Sequence, residues 1–136
     1  GISVFATSST GAYTGNYVSD EPCLKRRIPE ALQGHLSDVC KNLQRHLQNV
    51  YSQGYSGPLG VDMMVVEYQG EKYIHPCVEV NLRQTMGNVC VSLRSQLRRG
   101  AAIYRLRPVG ETTESTLVLT PYAKRIEAVL QTEEAE

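Results

Sequence analysis

The sequence predicts an α+β fold: a mostly antiparallel sheet with one long amphipathic helix and two shorter ones. Three observations carry that prediction. Ile28, Leu32, Leu36, Val39, Leu43, Leu47 and Val50 recur at spacings of 4, 4, 3, 4, 4 and 3, a single apolar stripe on one helix. From Gly57 to Leu82 the period switches to two, with Val61, Met63 and Val65 alternating with Asp62, Met64 and Val66. Strands and helices then follow one another without the regular βαβ alternation of a parallel sheet.

The elements can be justified in order. Ile2–Thr7 and Ala12–Val18 are β-favouring runs joined by Ser8-Ser9-Thr10-Gly11, which reads as a hairpin. Ser19–Arg27 reads as a polar loop containing Pro22 and Lys25-Arg26-Arg27. The long helix follows, with Pro29 suited to its first turn and Gly54 to its stop. In the next hairpin Ile74, Val78 and Val80 share one face of the second strand, and His75, Cys77, Glu79 and Asn81 share the other. A second helix is expected over Thr85–Arg99, with Val89, Leu93 and Leu97 at i, i+4 spacing. Ala101–Val109 and Ser115–Thr120 read as strands, and Pro121 as the start of a last helix with a fraying acidic end.

Composition narrows the class. A chain of 136 residues suits one domain, here 1–130, followed by an acidic tail at 131–136. It holds no apolar run long enough to span a bilayer and no signal-peptide pattern. Its four cysteines form no C-x-x-C pair and no framework, so a reduced, cytoplasmic setting is expected. Fourteen basic and fourteen acidic side chains cancel, which offers no reason to expect nucleic acid or an anionic membrane as partner. The zero hides segregation. Residues 82–110 carry six Arg and no acid, residues 111–136 six Glu, and residues 51–81 four acids against one Lys. Such blocks predict local pairing or a site that needs both signs. The opening Gly1-Ile2-Ser3-Val4-Phe5 reads like the interior of a fold, so the chain is expected to be part of a longer protein.

The chemistry concentrates in the second hairpin. A four-residue loop, Gln69-Gly70-Glu71-Lys72, would pair Tyr68 with Tyr73 and set Asp62 opposite Glu79; a two-residue loop would set Asp62 opposite Cys77. Either way Asp62, Glu79 and Asn81 share a face, and Val61, Met63, Val65, Ile74, Val78 and Val80 form an opposite, core face. Facing carboxylates repel by up to about 1 kcal/mol at exposed sites. A hard divalent cation offsets that, because carboxylate and amide oxygens are the ligands Mg²⁺ takes. Arg83, two residues beyond Asn81, adds a guanidinium for an anionic oxygen.

Gly60-Val61-Asp62-Met63-Met64, followed by His75-Pro76-Cys77-Val78-Glu79-Val80-Asn81-Leu82-Arg83-Gln84-Thr85-Met86-Gly87, resembles the C-terminal portion of the ATP-grasp superfamily. Glu79-Val80-Asn81-Leu82-Arg83 matches the superfamily's E-x-N-x-R pattern, and the resemblance covers roughly residues 4–100. It implies ATP-dependent carboxylate–amine ligation through an acyl-phosphate. Mg²⁺ (or Mn²⁺) would be held by Asp62, Glu79 and Asn81, and Arg83 would meet the transferring phosphoryl group. The resemblance implies that Met64 and Cys77 form apolar wall beneath the nucleotide; the alternative is plain packing. The superfamily clamps nucleotide with a lysine-bearing subdomain, and Lys25, Lys41, Lys72 and Lys124 fit no such pattern. The implied partners are therefore ATP, an unidentified carboxylate and amine, and the missing N-terminal half; the chain alone is expected to be inactive.

Several plainer readings stand beside this one. The hairpin could be a surface element with Arg83 paired to Glu79. His75 and Cys77 share the Asp62 face and could suggest zinc, but alternate strand positions lie about 7 Å apart, awkward for one ion. Thr85 could be an ordinary N-cap instead of the start of an anion-binding helix end. A rival to the ligase is a non-catalytic binding or oligomerisation module of similar fold. It would use Arg94, Arg98, Arg99, Arg105 and Arg107 as an interface, with homodimerisation along the long helix as a minor variant.

Overall fold

The computed structural model describes residues 1–97, 100–111, 116–123 and 126–132. It is an α+β arrangement of two antiparallel sheets and three α-helices. The larger sheet has the order β1 (Val4–Thr7), β2 (Tyr13–Val18), β5 (Ala102–Pro108), β7 (Ile126–Thr132), β6 (Thr116–Ala123). The smaller sheet is the hairpin of β3 (Gly60–Tyr68) and β4 (Glu71–Asn81). The helices are α1 (Glu21–Lys25), α2 (Glu30–Tyr51) and α3 (Met86–Leu93), the last followed by a 3₁₀ turn at Arg94–Gln96.

The larger sheet has one face on α3. Val18, Ala102, Tyr104, Ala128 and Leu130 cluster with Cys90 of α3, and Met86, Val89 and Leu93 pack against them. Alternation puts Arg105 and Arg107 of β5, and Glu127 and Val129 of β7, on the other face. There Arg107 Nε donates to Glu127 Oε1 at 2.8 Å, inside the sheet, with 8% and 11% of the two side chains exposed. This pair joins the arginine-rich segment to the glutamate-rich one, the pairing that charge segregation predicts. Gly15 lets β2 lie close to β5: a Cβ there would stand 2.8 Å from the Tyr104 carbonyl oxygen.

The structure corrects the expected helix at Pro121. β6 runs through Pro121 to Ala123, and Ile126–Thr132 is β7, between β5 and β6. Pro121 is tolerated because β6 is an edge strand, where a missing N–H need not break the ladder. Glu127-Ala128-Val129-Leu130 is a fair helix former, but all four residues are buried between two neighbouring strands, and that burial overrides propensity. Gln131 and Thr132 pair with Ile103 and Ala102 in the ladder; residues 133–136, like Arg98, Arg99, Lys124 and Arg125, lie outside the described residues.

Three other expectations shift. The polar loop at Ser19–Arg27 contains α1, capped by Asp20, whose carboxylate accepts from the Cys23 amide at 2.8 Å. A five-residue helix with one buried apolar residue, Leu24, leaves no periodic signal. α3 is shorter than Thr85–Arg99, tightening into the 3₁₀ turn after Leu93. The apolar face of the β3–β4 hairpin is no closed core either: Val61, Met63, Ile74 and Val80 are half-buried, but Val65 and Val78 are exposed. A two-stranded sheet resting on α2 has too little partner surface to cover both of its ends.

Candidate functional site

The α2 stripe is where the sheet layers leave space. Leu32 and Leu36 are buried, Val39, Leu43 and Leu47 only half-buried, and Val50 is 70% exposed. Toward its C-terminal half the helix therefore forms one wall of an open cleft of about 1090 Å³, whose opposite side is built from the first residues of β3 and the start of α3.

β3 is fastened to α3 at that point by a capping box. Thr85 Oγ1 accepts from the Asn88 amide at 3.2 Å, and Asn88 Oδ1 accepts from the Thr85 amide at 2.9 Å. Asn88 Nδ2 also donates to the Leu59 carbonyl at 3.4 Å, one residue before β3. Gly60 sits against this cap, since a Cβ there would stand 2.9 Å from Thr85 Cγ2. Thr85 is thus an N-cap, and its further role is to hold the strand that carries Asp62.

The hairpin resolves the open question of register in an unexpected way. The loop has two residues, with Tyr68 opposite Glu71, and Gln69 (φ 52°) and Gly70 (φ 79°) both take the positive φ of a type I′ turn. Yet Asp62 still lies opposite Glu79. The register shifts between Asp62 and Met64, where Pro76, Cys77 and Val78 of β4 bulge opposite Met63. Pro76 has no N–H for the ladder, so the interruption falls at the one residue that cannot pair normally.

Beyond the bulge the polar residues converge. Gly60 pairs with Asn81, and the buried Asn81 side chain donates through Nδ2 to Asp62 Oδ2 at 3.4 Å. Arg83 donates from one terminal nitrogen to Asn81 Oδ1 at 2.9 Å and from the other to the Gln84 carbonyl at 3.4 Å. The amide orientation follows from chemistry: a guanidinium can only donate and a carboxylate only accept. Asp62, Asn81 and Arg83 form a hydrogen-bonded line on the cleft, and Glu79 lies directly across from Asp62, exposed and outside the cleft lining.

The remaining candidates separate from this group. Met64 is 50% exposed and pairs with His75 on the far side of the bulge; Cys77 is half-buried within the bulge. Neither lines the cleft. Among the described residues no three of His, Cys, Asp and Glu gather around one point, so the zinc reading has no ligand set. A cation here would rest on two carboxylates and the Asn81 amide, a hard-oxygen set that fits Mg²⁺ and not zinc.

No protein-family model, curated protein or solved structure matches the chain. The site must be read from its own chemistry. Behind the cleft, in the core between α3 and the sheet, burial pushes the Cys90 thiol up to about 12. Asn16, 2% exposed, accepts from Tyr13 and donates to Ser3 at 2.9 Å, closing the cleft beside β1. No helix among the described residues is long and apolar enough to cross a membrane.

Among the residues that pattern-reading of the sequence missed are Gly60, Asn88, Asn16 and the glutamines of α2. Thr85-x-x-Asn88 is a capping-box spacing with Asn in place of the usual Glu or Gln, and that was the available signal.

Proposed function

We propose that the chain forms the metal- and phosphate-binding half of an ATP-dependent ligase of the ATP-grasp kind. Asp62, Glu79 and Asn81 would hold Mg²⁺ or Mn²⁺, and Arg83 the phosphoryl oxygens. The observation that carries the reading is the unbroken Asp62–Asn81–Arg83 line on a cleft, with Glu79 opposite Asp62. Two facing carboxylates suit a divalent cation, and the guanidinium suits an anionic oxygen a few ångströms away.

When bound, the cation supplies neutralisation of the nucleotide's negative charge. The protein's own part is positional. Asn81 couples the two ends, because its amide carbonyl accepts from Arg83 while its NH₂ meets Asp62, so the cationic and anionic groups are held at a set separation before any ligand arrives. The bulge at Pro76 and the Thr85–Asn88 cap fix the strands that carry them. In this reading Met64 and Cys77 flank the nucleotide at most from outside the cleft, and the lysine-bearing clamp comes from another part of the protein, without which the chain does not catalyse.

Calorimetric titration of the protein that carries this chain with ATP and Mg²⁺ tests the proposal. Glu79→Ala combined with Asn81→Ala should abolish binding, and Glu79→Ala alone, at an exposed position where folding is not at stake, should weaken it at least tenfold. Unchanged affinity in both would refute the site and favour the non-catalytic module.

A further inference from the structure

We infer that the cleft beside the Asp62–Asn81–Arg83 line receives a carboxylate with an otherwise uncharged, largely apolar, amide-bearing body, the size of a short capped peptide, its carboxylate on Arg83. The inference rests on the ligase reading above, because it names the acid that such a site would activate.

The open cleft's volume, about 1090 Å³, is slightly above that of pockets that take drug-sized ligands. Among the described residues, Asp62 and Arg83 are the only charged side chains on its lining, and Asn81 bridges them. Any other charge on the ligand body would lose water without gaining a partner, at a cost that disfavours it. The long wall is a single face of α2 in two adjacent rows. Leu43, Leu47 and Tyr51 make an apolar row at i, i+4 and i+8, and Gln44 and Gln48 run beside it. Apolar surface bordered by primary amides matches a body with apolar side groups and backbone amides, since each Gln offers both a donor and an acceptor. At the charged end, Arg83 commits one hydrogen bond to Asn81 and one to Gln84, and a guanidinium has five donors. The remaining fork geometry fits a carboxylate.

The test uses N-acetyl-leucyl-phenylalanine and its methyl ester as probes, titrated without nucleotide and followed by NMR shifts. The acid should bind saturably and at least tenfold more tightly than the ester. Arg83→Ala should reduce the acid to the ester's affinity while leaving the ester unchanged, and Leu47→Asp should weaken both at least tenfold. If Leu47→Asp fails to fold, Gln44→Glu, at an exposed position, should weaken the acid severalfold by repulsion. No saturable binding to the wild type, equal affinity for acid and ester, or indifference to the wall substitutions would overturn the inference. Because no Mg²⁺ or ATP is present, failure here leaves the metal site untouched. Absence of Mg²⁺-ATP binding by the wild-type protein, with intact acid binding, would overturn the ligase reading alone.

Discussion

Replacing Glu127 by Gln removes one charge from a pair inside the central sheet and leaves the side-chain volume almost unchanged. Arg107 Nε lies 2.8 Å from Glu127 Oε1, and only 8% and 11% of the two side chains are exposed. Breaking a buried pair by removing one partner typically costs about 3–5 kcal/mol, because the remaining charge stays desolvated. Arg107 makes a further interaction, which places the expected loss near the lower end, about 3 kcal/mol. With a urea dependence of about 2 kcal/mol per molar for a small domain, the unfolding midpoint should fall by roughly 1.5 M. Arg107→Met with Glu127→Leu removes both charges and should recover most of that loss, since apolar replacement of a buried pair is often neutral or better. The same measurement discriminates β7 from the helix that its sequence suggests: on a surface helix such a pair would be worth about 0–1 kcal/mol. A midpoint shift below about 0.5 M for Glu127→Gln, corresponding to the exposed-pair range, would refute the buried pairing. So would a double variant as unstable as the single.

Two further outcomes follow from the same structure. Cys90 is 1% exposed and its thiol is raised to about 12 from 9.0, so the folded state holds a proton that the unfolded chain releases earlier. Stability should therefore fall as pH rises through the interval from about 9 to about 12. Cys90→Ala should flatten that slope by up to one proton in pH-dependent urea melts, and a thiol reagent should label Cys90 in the wild type only on global unfolding. Gly60→Ala would drive a Cβ to 2.9 Å from Thr85 Cγ2, and a Thr85 that rotates away gives up its cap. The expected cost is about 1 kcal/mol, with weaker Mg²⁺-ATP binding as β3 and Asp62 shift; a variant with wild-type melting and affinity would show that Gly60 is not an anchor.

Much of this molecule was determined locally and could be read from its sequence. The stripe from Ile28 to Val50 makes α2, the alternation around Val61–Val66 makes β3, and strand parity alone sets Asp62, Glu79 and Asn81 on one face whatever the loop length. Each of these properties depends on neighbours a few residues apart. What the tertiary structure decided depends on groups far along the chain. The two-residue turn would have misaligned Asp62 from Glu79, and only the bulge at Pro76 restores them; periodicity cannot count residues that leave the ladder. Ile126–Thr132 becomes a strand because β5 and β6 supply hydrogen-bond partners on both sides, and because burial of Val129 and of the Arg107–Glu127 pair outweighs a local preference for helix. The cleft, too, is an outcome of packing: the sequence marks α2 as apolar along its whole length, but the layers cover only Leu32 and Leu36 fully, and the uncovered half faces the charged end of the hairpin.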